Sequence, residues 1–242
     1  MIFNLFKAKP TLEELIPNGF VDIHSHILPG IDDGPRNFQE SKKLILEIEK
    51  LGFSKIIATP HVYPGLYNNT NKSIQKVFHQ LNEDLNTNVK ISYAAEYMLE
   101  KDLFSSAKLK NLLCLKDKMV LVEMSYISKP TKLYDIIFEL KVNDFIPVLA
   151  HPERYLFLNN NFNEYKRLKK FGCKFQFNLL SAVGYYGKEV VVILEKLLKN
   201  GMIDFAGSDI HNINHINRFA GKLVIKNFKM IEQILDDNKY FL

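Results

Sequence analysis

The chain has 242 residues, 47% of them hydrophobic, with 18 Phe and 11 Tyr; that is enough for one substantial core and unlike a disordered or fibrous composition. Two cysteines, Cys114 and Cys173, exclude a disulfide framework and point to a reducing, cytoplasmic setting. The net charge of +5 is mild and its lysines are spread along the chain, so charge gives nucleic-acid binding no support.

In chain order, the first ten residues carry an apolar patch too short for a secretory segment, and no run of about 18 apolar residues marks a membrane span. The expectation is an N-terminal extension over 1–18, with a short lead helix, followed by a single domain over 19–242. A weak membrane or partner contact through Phe3, Leu5 and Phe6 has no further support.

From Phe20 onward one unit recurs: an apolar strand-type run ends in a polar residue, and a loop and an amphipathic helix follow. The predicted strands are 20–24, 55–61, 89–96, 119–123, 146–151, 173–178 and 203–209. They end in His24, His61, Glu96, Glu123, His151, Asn178 and Asp209. Asn37 to Glu40 has the form of a capping box, opening a helix with Leu44, Ile45, Ile48 and Leu51 on one stripe and Gly52 as its stop. Further helices are predicted over 71–85, 130–141, 162–171, 189–199 and 229–237, and 99–116 reads as irregular or short-helical. Strands alternating with helices imply parallel pairing and right-handed crossovers, hence an α/β barrel whose working face lies at the strand C-termini. Six of the seven strand ends carry His, Asp or Glu, too regular a pattern for scattered surface charge.

His24 and His26 are two apart, which on a strand puts both imidazoles on one face. With Asp33, His61, Glu96, Glu123, His151, Asp209 and His211 they make five imidazoles and four carboxylates, too many for one ion. Two or three divalent cations bridged by a carboxylate would use them, with Glu96 a natural bridge. Three such ions would leave a surplus of about +2, which favours an anionic substrate such as a phosphate ester. Taken singly, each residue has a plainer reading. Glu96 and Glu123 could pair with Lys or Arg, His61 could be satisfied by backbone, and Asn178 could be structural. Asp32 reads as a residue that orients its turn, and His79 as surface. Arg154, just past His151, suits bidentate phosphate contact unless it pairs with Glu153. Arg218 is a second candidate and Arg36 a weaker third; His215 lies near the ligand pair. Neither cysteine sits in an anion-binding loop, and both read as core. There is no glycine-rich phosphate loop and no nucleophile elbow.

As a set, H-S-H at 24–26, D-D-G at 32–34, T-P-H at 59–61, Glu96, Glu123, A-H-P-E-R at 150–154 and G-S-D-I-H at 207–211 resemble the polymerase-and-histidinol-phosphatase (PHP) superfamily. H-I-L-P-G-I-D-D-G-P and H-P-E-R-Y are most similar to its metal-dependent bacterial protein-tyrosine phosphatases of capsule and exopolysaccharide operons. The resemblance runs from about residue 20 to 219. It implies a distorted TIM-like (β/α)7 barrel of PHP type and a centre of two or three ions, usually Mn2+, with Fe or Zn as alternatives. One ion would take His24, His26, Glu96 and Asp209; a second Glu96, Glu123 and His151; a third Asp33, His61 and His211. Arg154 would hold the phosphoryl group. Arg218 follows a longer loop than in relatives, and His215 could replace part of its role.

The implied function is hydrolysis of protein phosphotyrosine by attack of a metal-bound hydroxide, on the tyrosine-rich tail of a membrane-associated bacterial kinase of polysaccharide export. An oligomer fits as well as a monomer. The rivals are a histidinol-phosphate-type small-molecule phosphatase, a nuclease-type phosphodiesterase and a non-catalytic metal-binding scaffold. An open rim favours the protein substrate and a lidded pocket the small one.

Overall fold

A computed structural model of the chain describes residues 9–83, 85–159, 161–226 and 228–242, with Ser106 described in its backbone alone. Nine strand segments form the barrel wall: β1 (Phe20–Ser25), β2 (Phe53–Ala58), β3 (His61–Val62), β4 (Lys90–Tyr93), β5 (Glu96–Met98), β6 (Met119–Glu123), β7 (Ile146–Ala150), β8 (Lys174–Asn178) and β9 (Phe205–Gly207). They derive from seven sequence runs. Two of the runs are broken: Thr59-Pro60 separates β2 from β3, where proline has no N–H for the ladder, and Ala94-Ala95 separates β4 from β5.

All neighbours pair in parallel, in the orders β1-β2-β4 and β3-β5-β6-β7-β8-β9. The wall closes between its ends. Asp209 N–H donates to His24 O at 2.7 Å, His26 N–H donates to Ile210 O at 2.9 Å, and Ser25 bridges Ile210. Buried Asn238 joins the same two strands, donating to Val21 O at 2.8 Å and Ala206 O at 2.7 Å.

The helices are α1 (Leu12–Leu15), α2 (Phe38–Lys50), α3 (Asn71–Glu83), α4 (Ser106–Leu109), α5 (Leu133–Val142), α6 (Phe162–Lys170), α7 (Lys188–Lys199), α8 (Ile213–Asn217) and α9 (Phe228–Asp237). The predicted box at α2 is half formed. Asn37 accepts from Glu40 N–H at 2.9 Å, but Glu40 reaches back to Arg36 N–H at 2.9 Å rather than to Asn37 N–H. The lead segment is anchored: Leu12 is fully buried, and its N–H donates to Gly221 O at 3.0 Å. Phe3, Leu5 and Phe6 lie outside the described residues.

Burial separates two apolar groups. Val21, Ile57, Leu121, Val148 and Phe205 come from strands all round the wall and pack together with Phe241, which is the barrel interior. The other group joins the opposite strand faces to the helices, for example Val120, Leu149 and Phe175 with Ile45, Ile137 and Leu194. Each fully buried side chain of this kind contributes about 1.5–3 kcal/mol. Among the described residues no helix is long and apolar enough to cross a membrane.

Candidate metal centre

Every predicted ligand lies at the C-terminal rim of the barrel. His24 and His26 reach it through an irregular strand end. Ile23 packs in the barrel interior while its neighbour His24 turns to Gln176 and Glu96. Regular alternation forbids two adjacent side chains on one face; the register shift between Asp22 and Ser25 accommodates them. Gly207 leaves the room, since a Cβ there would stand 2.6 Å from His24 Cβ and 2.7 Å from Gln176 Nε2. His151 and Asp209 both adopt positive φ, 35° and 53°, a conformation uncommon for non-glycine residues.

The two imidazoles are oriented from behind. Asp32 Oδ2 accepts from His26 Nδ1 at 2.8 Å and Gln176 Oε1 from His24 Nδ1 at 2.8 Å. Both Nε2 atoms therefore face inward, 3.2 Å apart; with both Nδ1 protons held outward, two neutral rings would set lone pair against lone pair there, the arrangement an ion would satisfy. Glu96 Oε2 is 3.2 and 3.3 Å from these nitrogens, and Asp209 Oδ1 is 3.4 and 3.3 Å from them. A tetrahedral ion with ligands at about 2.0–2.1 Å spaces its donors by about 3.3–3.4 Å, so the two imidazoles and Glu96 Oε2 could share one, and Asp209 Oδ1 stands at the same spacing from both imidazoles.

Glu96 is fully buried, and neither of its carboxylate oxygens has a hydrogen-bond partner. An ionised carboxylate so buried must be faced by positive charge, from the surrounding imidazoles in the metal-free protein or from an ion that displaces their protons. His151 Nε2 stands 3.2 Å from Oε1, and His61 Nδ1 is 3.2 Å from Oε2 and 2.8 Å from Glu123 Oε1. His61 Nδ1 is within ion-pair reach of both carboxylates yet aligned for a hydrogen bond with neither. A third group forms on the open side, where Asp33 Oδ1 lies 3.2 Å from His211 Nε2 and 3.5 Å from His61 Nε2, and His26 stacks on His211 at 4.0 Å. Donor atoms of this kind meet in several sets of three or four that could each hold an ion.

All nine predicted ligands thus converge. The donor sets differ from those the resemblance implies: His61 stands with Glu96 and Glu123, His26 joins Asp33, His61 and His211, and His151 meets His24 and Asp209 as well as Glu96 and lies 3.4 Å from the Tyr126 hydroxyl.

The charges are mutually adjusted. Burial alone would raise the Glu96 carboxyl, but His24 and His61 hold it well below the carboxylate range. Glu123 is shifted the other way, by burial and by the charge of Glu96. Asp33 is lowered to about 2, His211 outweighing its partial burial. Burial and the Arg154 charge push His151 down to about 4, so its ring is neutral, the form a metal binds.

Above this cluster opens a cleft of about 380 Å3, lined by Asp33, His61, Glu123, His151, Asp209 and His211 together with Tyr126, Arg154, Tyr185, Tyr186, Asn212 and His215. Arg154 donates from Nη1 to Asp209 Oδ2 at 2.8 Å and lies 4.0 Å over the Tyr186 ring and 4.7 Å over Tyr126. It does not pair with Glu153, which accepts instead from Asn178 N–H at 2.8 Å and Ser181 Oγ at 2.7 Å. Asn178 holds both Tyr186 Oη and Asp209 Oδ2, at 3.0 and 2.9 Å.

Arg218 corrects the sequence expectation. It is exposed and outside the cleft lining, its guanidinium 5.5 Å over Tyr185, because the short helix α8 turns it away. His215 of the same helix lines the cleft instead. Arg36 does not line this cleft either, and His79 is exposed. The tyrosines at 126, 185 and 186 and the orienting Gln176 were not foreseen; no spacing in the sequence connects them to His151 or Arg154. Both cysteines are remote from the cleft lining, and burial pushes their thiols up to about 11 and about 12, which rules out thiolate attack here.

A model of the family "Capsular polysaccharide synthesis, CpsB/CapC" matches residues 20–235. The chain is 29% identical over 201 residues to the tyrosine-protein phosphatase YwqE of Bacillus subtilis, covering 81% of this chain and 79% of that one. It is 28% identical over 203 residues to the tyrosine-protein phosphatase CpsB of Streptococcus pneumoniae, covering 80% and 84%. Among solved structures, one described as YwqE and CpsB, "unique metal-dependent tyrosine phosphatases", superposes with a TM-score of 0.74 at 29% identity, covering 83% of this chain and 84% of that one.

Proposed function

The chain belongs to the CpsB/CapC family of capsular polysaccharide synthesis, and from that premise we propose that it is a metal-dependent phosphatase that releases phosphate from tyrosine side chains of proteins. The observation that carries the reading is the buried Glu96 carboxylate, with no hydrogen bond to either oxygen among the described residues and ringed by imidazoles, beneath a stacked arginine in an open cleft.

His24, His26, Glu96 and Asp209 would hold one divalent ion, and Asp33, His61, Glu123, His151 and His211, with Glu96 as bridge, one or two more. Manganese suits this mixed imidazole–carboxylate set, as do iron and zinc. Such ions, when bound, supply a water of lowered pKa and positive charge for the phosphoryl oxygens. The chain's own residues do the rest. Arg154 spends one donor on Asp209 and has others for a phosphoryl oxygen pair, its plane fixed by Tyr126 and Tyr186. A phenolate leaving group, with a pKa of about 10, needs no strong acid. The rim is open, with Asp33, Tyr126 and Tyr185 exposed, which suits a side chain carried on a protein better than a small enclosed ester.

The substrate we favour is the tyrosine-rich tail of a membrane-associated kinase of polysaccharide export, met in the cytoplasm; what supports it is the family's link to capsular polysaccharide synthesis and the tyrosine-protein phosphatase relatives. The test is phosphate release by metal-stripped protein, with and without Mn2+, from a phosphotyrosine peptide beside histidinol phosphate. Manganese-dependent release from the peptide, lost in His24→Ala, supports the reading. Preference for histidinol phosphate overturns the substrate, and no release from either overturns the phosphatase.

A further inference from the structure

A second cleft of about 400 Å3 adjoins the first and shares Asp33, His211 and Asn212 with it. Its far wall is formed by Arg36 and Lys43, at the start and on the first turns of α2. Both residues are exposed. Neither cationic group has an ion-pair or hydrogen-bond partner among the described residues; Arg36 engages only through its backbone N–H. Glu40, on the same wall, accepts from Arg36 N–H and Asn37 Nδ2 at 2.9 and 3.2 Å and forms no ion pair with either cation; Asp33 is the other carboxylate lining this cleft. Two unpaired cations therefore face a groove continuous with the site where a phosphoryl group would sit.

Resting on the proposed phosphotyrosine activity, we infer that this groove is a recognition subsite for a second anionic side chain of the substrate. The side chain would be a carboxylate or a second phosphate near the target tyrosine in the peptide, since the two clefts share Asp33, His211 and Asn212. Arg36 and Lys43 are specificity residues: they attract the substrate and take no part in bond cleavage. Long, exposed cations act here through charge, so their effect is screened by salt.

The experiment compares kcat and KM for three phosphotyrosine peptides, flanked by Ala, by Glu or by a second phosphotyrosine, with p-nitrophenyl phosphate as the small control. The expected result is a preference of about tenfold in kcat/KM for the anionic peptides, carried by KM, as one or two exposed charge contacts supply. A double phosphotyrosine favoured over Glu assigns the subsite to phosphate, and equal preference assigns it to any anion. Arg36→Ala with Lys43→Ala should abolish the preference while p-nitrophenyl phosphate turnover is retained. Arg36→Glu with Lys43→Glu should reverse it. Equal rates on all three peptides in the native protein, or a preference that survives both double variants, would overturn the inference. Failure to hydrolyse even p-nitrophenyl phosphate would instead overturn the phosphatase reading beneath it.

Discussion

The Asp32 carboxylate accepts the Nδ1 proton of His26 at 2.8 Å while its other oxygen accepts Gly34 N–H at 3.0 Å, so one side chain both closes the D-D-G turn and aims an imidazole. The outer nitrogen of His26 is thereby committed to Asp32, and Nε2 is the atom that faces Glu96 and Asp209 and would meet an ion once its proton is displaced. Replacing Asp32 by Ala should weaken metal binding by about 10- to 100-fold, the usual effect of losing an orienting partner. Isothermal titration with Mn2+ checks this, and an unchanged affinity would show that His26 is held by packing alone.

Metal uptake should depend on pH with a defined sign. In the metal-free protein burial and His26 oppose charge on His61, but Glu96 and Glu123 prevail and raise it to about 9. Below that pH the ring carries a proton that an ion must displace, so apparent affinity should rise with pH up to about 9, at least tenfold per unit for one proton released. The same raised value stabilises the metal-free fold below about 6.5, and this contribution is lost as pH rises through about 9. Proton release on Mn2+ addition in weakly buffered solution measures the linkage directly.

Arg154 should be needed for turnover more than for the fold. Arg154→Ala is expected to lower kcat by about 100- to 1000-fold, as loss of a fixed donor to developing charge does elsewhere. Arg154→Lys should recover little of it, because an ammonium cannot lie flat between Tyr126 and Tyr186 or present a planar fork. Steady-state kinetics at saturating Mn2+, with melting temperature as the folding control, decides this.

The convergence of the candidate ligands is legible because a parallel barrel brings its strand ends to one rim, so His24, Glu96, Glu123, His151 and Asp209, far apart in sequence, need only their place at strand ends to be read together. What surrounds them was not legible. Tyr126 and Tyr186 flank Arg154 from two different loops, and nothing local marks an aromatic ring that will stack on a guanidinium. Arg218 was misplaced because its distance along the chain from His211 says nothing of the turn that α8 introduces. The break at Pro60 was visible in the sequence but was absorbed into one strand, since the apolar run continues through it. Asp32 reads in the sequence as a turn residue, and it is one; its bond to His26 arises only once the turn folds back over β1.

The central claim is that Glu96 is shared between ions, and counting those ions tests it most directly. Mass spectrometric metal analysis of the Mn2+-loaded, gel-filtered protein should give two or three ions per chain, with Glu96→Gln retaining at most one and losing phosphotyrosine hydrolysis with it. A native chain that holds a single ion or none, or a Glu96→Gln variant that keeps the full complement, would contradict the account.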